Sequence, residues 1–153
     1  ASDDFYWEQD WKPSPIARVD RLLGEVLDKP SWVLDGNFEH RWESVWNQAD
    51  LIVWLDYSLP TVLWQVARRN IGWFFSRRII WSGNRMTLYR VMSGVRHSLR
   101  SHRRKRDAYP RYIDQLRHNN VVRLSTRAQT SSWVASLGQN VRAVQGGGGA
   151  AAA

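Results

Sequence analysis

Apolar residues at Ile16, Val19, Leu22, Leu23, Val26 and Leu27 recur at helical spacing. The stripe predicts an amphipathic helix that opens at the Ser14-Pro15 pair and stops before Pro30. Trp32-Val33-Leu34 then reads as a short buried strand ended by Asp35-Gly36-Asn37, a turn tripeptide in which Gly and Asn tolerate positive φ. Trp42, Val45 and Trp46 mark a short helix within residues 38–48, and the run Leu51–Leu55 predicts a second strand ending at Asp56. Ser58-Leu59-Pro60 opens a helix through Arg69 that turns Val62, Leu63 and Val66 inward. Strand, helix, strand, helix is the signature of a parallel α/β fold, with helices flanking the sheet.

Residues 70–85 lose this periodicity and mix Trp73, Phe74, Phe75 and Trp81 with Arg77, Arg78 and Arg85. A mobile insert or lid is expected there. From 86 to 106 a long helix places Leu88, Val91, Met92, Val95 and Leu99 on one stripe and Arg96, Arg100, Arg103 and Arg104 on another. Val121–Leu124 is a last short strand, followed by a closing helix over 126–137. The opening residues, Asp3-Asp4 before Phe5-Tyr6-Trp7, read as the end of a strand, so a preceding segment is expected.

Composition narrows the class. The 153 residues are 43% apolar and contain no cysteine, which fits one domain over residues 1–145 and excludes a disulfide scaffold, a cysteine metal site and a thiol nucleophile. No apolar run approaches the roughly 20 residues of a membrane span, and no leader pattern opens the chain. The expected setting is therefore cytoplasmic, without a membrane partner. The tail 146–153, all Gly and Ala, has no packing logic and reads as a linker or as residues of unassigned identity.

Charge is segregated along the chain. Residues 1–67 hold 5 basic against 12 acidic side chains, and residues 68–111 hold 13 against 1. An arginine-dense middle implies a polyanion partner, either nucleotide phosphates or nucleic acid along Arg96–Arg106. The ten tryptophans offer flat surfaces for packing or stacking.

Ligands of parallel sheets bind beyond the carboxyl ends of the strands, where Asp3-Asp4, Asp35 and Asp56 are expected. Carboxylates so placed can hold Mg²⁺ or accept a hydrogen bond from a substrate hydroxyl; aspartates also cap turns and helix starts for local reasons alone. Arginines suit phosphoryl transfer because a planar guanidinium clamps phosphate oxygens, and Arg68, Arg69, Arg77, Arg78 and Arg85 are candidates beside the aperiodic segment. The four histidines, His40, His97, His102 and His118, have no zinc-ligand spacing.

Four strings taken in order, Asp3-Asp4-Phe5-Tyr6-Trp7, Trp32 to Asn37, Ala49 to Asp56, and Ile80-Trp81-Ser82-Gly83-Asn84-Arg85, resemble the adenylate-kinase-like P-loop kinases. The branch is the one labelled DNA topology modulation protein, and the resemblance covers about residues 1–137. It implies a P-loop nucleoside or nucleotide kinase fold with an arginine-bearing lid, using ATP and Mg²⁺. By that resemblance Asp35 is the Mg²⁺-associated catalytic acid, and Arg69 and Arg78 are catalytic lid arginines. Asp3, Asp4, Gly36, Asn37 and Arg85 belong to the substrate side, and Arg77 and Arg127 to the cofactor. The resemblance stops at the phosphate cradle. No Gly-x-x-x-x-Gly-Lys-Ser/Thr string occurs, so the first strand, its loop and the first helix, a unit of roughly 20–35 residues, are expected to be missing. The implied function is Mg²⁺-assisted phosphoryl transfer from ATP to a small acceptor, an activity expected of the full-length protein and not of a chain without the missing P-loop. The alternatives are a basic nucleic-acid-binding protein and a non-catalytic scaffold or assembly subunit.

Overall fold

The computed structural model describes residues 2–36, 41–116 and 120–147. It is a mixed α/β structure with six helices: α1 (Ser2–Tyr6), α2 (Ile16–Leu27), α3 (Trp42–Trp46), α4 (Leu59–Phe75), α5 (Leu88–Asp114) and α6 (Arg127–Gly147). Two short sheets accompany them. Strands β1 (Ile52–Leu55) and β4 (Val121–Leu124) pair in parallel with Ile52 opposite Val121 and Leu55 opposite Leu124, while β2 (Ile79–Ile80) and β3 (Asn84–Arg85) form a small antiparallel hairpin.

The predicted helix over 16–27 forms as its spacing requires, with Leu23 buried. Strands form at Ile52–Leu55 and Val121–Leu124, where apolar runs can pair with one another. Trp32-Val33-Leu34 does not become a strand. Trp32 packs against the core built on Ala49, Ile52 and Leu116, but Val33 is 95% exposed. A strand needs a hydrogen-bonding neighbour as well as apolar side chains, and among the described residues none lies alongside this segment. The segment before Trp7 likewise differs from its expected form: Asp3 and Asp4 lie in the first turn of α1, not at a strand end. Acidic side chains favour that position because they face the positive end of the helix.

The lid expected over 70–85 resolves into two parts. The helix α4 continues to Phe75, and Arg77, with φ of 51°, turns the chain into the β2–β3 hairpin. The hairpin turn uses Ser82 and Gly83, with φ of 54° and 84°. The basic helix is longer than its apolar stripe predicts and runs through Pro110 to Asp114. Aromatic contacts hold this extra length: Tyr112 stacks on Trp42 with ring centroids 4.5 Å apart, and Tyr109 meets Trp46 and Trp54 edge-on. The closing helix extends beyond 137 to Gly147, and the remainder of the Gly/Ala tail, 148–153, lies outside the described residues.

Helices α4 and α5 pack together where Gly94 lets Asn70 approach. A methyl group on Gly94 would stand 2.6 Å from Nδ2 of Asn70, which is itself buried. Gly94→Ala is therefore expected to lower stability by about 1–3 kcal/mol through overpacking. Adding Asn70→Ala should recover part of that loss. Urea denaturation of the two single variants and the double variant checks this, and strictly additive effects would show that the close approach does not limit packing.

Candidate functional site

A cavity of about 700 Å³ opens between the N-terminal segment, α4 and α5. One side is acidic. Asp3 from α1 lines it, and Gly36, from the turn after Asp35, lines it close by. Arg69 and Asn70 contribute from α4, and Arg90, His97, Arg104 and Lys105 from α5. Trp7, Trp11 and Trp81 form an aromatic wall.

That wall has a defined support. Trp7, Trp11, Trp81 and Trp73 run edge to face in sequence, with centroid separations of 5.5, 5.9 and 5.4 Å. Cations lie against both ends: Arg90 sits 4.9 Å from the Trp11 ring centre and Arg69 sits 4.8 Å from that of Trp73. The buried side chain of Asn84 ties the hairpin to the N-terminal segment. Its Oδ1 accepts from the Trp11 amide at 2.9 Å, and its Nδ2 donates to the carbonyls of Glu8 and Trp81, each at 2.8 Å. Ser82 adds a donation from Oγ to the Trp7 carbonyl at 2.6 Å, and Trp11 Nε1 donates to the Arg85 carbonyl at 3.1 Å. The Trp-Ser-Gly-Asn-Arg string thus serves as a clamp whose glycine makes the turn and whose asparagine satisfies three backbone groups.

The carboxyl of Asp3 is held above its ordinary range, first by burial, which disfavours the charged form. Arg69 opposes that shift, Asp35 and Asp4 reinforce it, and a hydrogen bond with the Trp7 side chain lowers it. This balance places Asp35 and Arg69 each within electrostatic reach of Asp3, although the three come from separate stretches of chain. Elsewhere on the rim Arg41 grips Asp20 through Nε and Nη2 at 2.8 and 2.6 Å, which lowers the Asp20 carboxyl below its usual range.

The predicted residues separate accordingly. Asp3, Gly36 and Arg69 meet at the cavity, with Asp35 beside Asp3. Asp4 is exposed on α1, next to Asp3. Arg77, Arg78 and Arg85 are exposed around the hairpin, and Arg127 is exposed at the start of α6; none of these four lines the cavity. Asn37 lies outside the described residues. Asp56 stands apart, buried, with its carboxylate bound by Arg106 and Arg123. Arg41, Arg90 and His97 were not singled out for the site from spacing, because a helical stripe shows which residues share a face but not which face meets a cavity. For Asn84 the signal was present: a polar residue following Ser-Gly in an otherwise aromatic segment.

Among the described residues no group of three acidic or histidine side chains is placed to hold a metal ion. Mg²⁺ commonly takes only one or two carboxylates and completes its shell with phosphate oxygens and water, a partial role that the carboxylate chemistry of Asp3, at the cavity, and of Asp35, within its electrostatic reach, would suit. Comparison with known protein families, curated proteins and solved structures gives no match for this chain.

Asp3→Asn isolates the electrostatic cost of the site. A carboxyl whose folded pKa is raised binds its proton more tightly in the native state than in the unfolded one, so stability falls as pH rises from the ordinary value through the folded value. The Asn variant lacks this loss. Its melting temperature should exceed that of the parent at pH 7, and the gap should narrow as pH falls towards 4; a constant gap across that range would remove the carboxyl as its source.

Proposed function

We propose that this chain carries the acceptor and arginine side of an ATP-dependent phosphotransferase of the nucleoside or nucleotide kinase type, within a P-loop-kinase-like α/β fold. The observation that carries the reading is that Asp3, Gly36 and Arg69 line one cavity, with Asp35 next to Gly36 in the chain. The family resemblance implies that grouping, and the chain has to fold to produce it.

The chemistry follows from the side chains. A carboxylate at Asp3 or Asp35 can accept the hydrogen bond of an acceptor hydroxyl and orient it for attack. Arg69 can neutralise charge that spreads over the transferring phosphoryl oxygens. Arg90, Arg104 and Lys105 give the opposite wall a positive field for the remaining phosphates, and the tryptophan wall offers a flat apolar face to a base or sugar. Asp3 and Asp35 would hold Mg²⁺, which supplies charge neutralisation when bound. Phosphate contacts must come from such cations or from residues beyond these 153, since no Gly-x-x-x-x-Gly-Lys-Ser/Thr loop is present.

The test is calorimetric titration of the protein with ATP·Mg²⁺, followed by a phosphoryl-acceptor screen. Asp35→Asn is expected to lower turnover at least 100-fold with the melting temperature unchanged, because it removes a positioning and metal-associated charge at an exposed site. Arg69→Gln is expected to lower it by a similar factor. Unchanged turnover in both variants would dismiss the assignment. A second reading, nucleic-acid binding, is favoured by Arg96 and Arg100, exposed on one face of α5. It requires duplex affinity that falls steeply with salt.

A further inference from the structure

A second basic concavity lies beyond the carboxyl ends of β1 and β4. The first residues of α4 and its cap, Ser58, Leu59 and Pro60, form one side of this open cleft. His102, Arg103 and Arg106 from α5 face it together with Arg123 from β4. We propose that this cleft is an anion site that takes the phosphoryl group of a small phosphorylated ligand, with Arg103, Arg106 and Arg123 as its donors. The site uses neither Asp3, Asp35 nor Arg69, so it stands whether or not the larger cavity transfers phosphate.

Three observations converge on it. First, the guanidiniums are held in place. Arg106 forms an ion pair with Asp56, its Nε 3.1 Å from Oδ1, and Arg123 donates from Nε to Asp56 Oδ2 at 2.9 Å with a second donation from Nη2. Arg123 also lies flat against Trp54, 4.6 Å from the ring centre. Each arginine has five N–H donors, so the contact through Nε of Arg106 and the bonds from Nε and Nη2 of Arg123 leave further donors free for an anion. Fixed guanidiniums lose less freedom when a ligand arrives than mobile ones do.

Second, the charge is not balanced locally. Asp56 is engaged by two arginines, and Asp107 is the one acidic side chain lining the cleft. Arg103 makes no ion pair among the described residues and is exposed. Three guanidiniums against two carboxylates leave a net positive site. A structural ion pair for Asp56 needs no third arginine.

Third, the backbone contributes in the same sense. The Ser58 hydroxyl is engaged with Thr61 Oγ1 at 2.9 Å and caps no backbone N–H of α4. The start of this 17-residue helix lines the cleft through Ser58, Leu59 and Pro60, so the positive end of its dipole lies beside it, although Pro60 carries no N–H. His102 donates from Nε2 to the Tyr57 carbonyl at 2.9 Å, which fixes its ring and the chain just before the helix.

Inorganic pyrophosphate is the probe, titrated calorimetrically into the 153-residue protein at low ionic strength, with inorganic phosphate as a second arm to distinguish a single phosphoryl site from one that needs linked phosphates. Arg103→Gln, which breaks no ion pair, is expected to weaken pyrophosphate binding about tenfold while the melting temperature stays within 1–2 °C, as for an exposed substitution. Arg96→Gln, on the same helix but outside the cleft, should leave this binding unchanged. The proposal is overturned by absence of pyrophosphate binding, by equal affinity of the Arg103 variant and the parent, or by equal weakening in Arg96→Gln, which would reveal only diffuse attraction to a basic helix. Loss in Arg69→Gln without loss in Arg103→Gln would put the anion in the other cavity and overturn it as well.

Discussion

The carboxylate of Asp56, with its side chain 3% exposed, is bound by Arg106 from α5 and Arg123 from β4. A buried charge left without partners is strongly unfavourable, so once β1 carries Asp56 inward, the other two elements must bring their guanidiniums to it. The β1–β4 register agrees with this demand: Trp54 stands opposite Arg123, and the arginine covers that ring on its way to the carboxylate. One acidic residue thereby fixes the relative position of the strand pair and of the last third of α5. That part of α5 also carries Tyr109 and Tyr112, which meet Trp46 and Trp42 of α3. The core around Ala49, Ile52 and Leu116 forms on the same foundation.

With one end anchored, α5 acts as the divider of the molecule. Its 27 residues extend about 40 Å at 1.5 Å each. In its second turn Gly94 admits Asn70 and draws α4 close, and Thr87 caps its start by accepting from the Arg90 amide at 3.3 Å. Consecutive residues of a helix point about 100° apart, so the dense basic run does not make one uniform surface. Arg104 and Lys105 go to the larger cavity, Arg103 and Arg106 to the cleft at the strand ends, and Arg96 and Arg100 to solvent. A charge count along the sequence merges these three destinations.

The parts legible in the sequence were those whose cause is local or strongly periodic. Ile16 to Leu27 repeats at helical spacing beside a Ser-Pro start, and the apolar runs at 51–55 and 121–124 have each other to pair with. Asp3, Gly36 and Arg69 were reached through an ordered set of motifs, and all three line one cavity. Illegible parts depend on partners distant in sequence. Trp32-Val33-Leu34 has strand-like composition but lacks a neighbouring strand. Pro110 suggests that α5 should stop, yet stacking on Trp42 and contacts with Trp46 hold the helix through it. Arg77, Arg78, Arg85 and Arg127 have the charge expected of phosphate ligands, but the hairpin and the start of α6 leave them at the surface. Asn84 acts through three backbone groups, two of them more than 70 residues away, a relation that no spacing rule encodes.

The two basic concavities differ in how they treat their acids, and the difference bears on what each can bind. At the strand ends the buried carboxylate of Asp56 has two guanidiniums for itself, and the surplus is positive. At the larger cavity the order is reversed: Asp3 is desolvated beside Asp35 and Asp4, and Arg69 offsets only part of the penalty. A carboxyl desolvated without full compensation is an unfavourable arrangement for stability alone, since a neutral side chain of similar size would be buried there without that cost. Such strain is relieved by what a ligand brings, either a hydroxyl that donates to the carboxylate or a cation that bridges it to phosphate. The clamp of Asn84 and Ser82 on the Trp7–Trp11 segment holds Asp3 there despite that cost. Under the proposed reading the acceptor would lie on the acidic side and the phosphates on the basic side, and the hairpin holds the Trp7–Trp11 segment that follows Asp3.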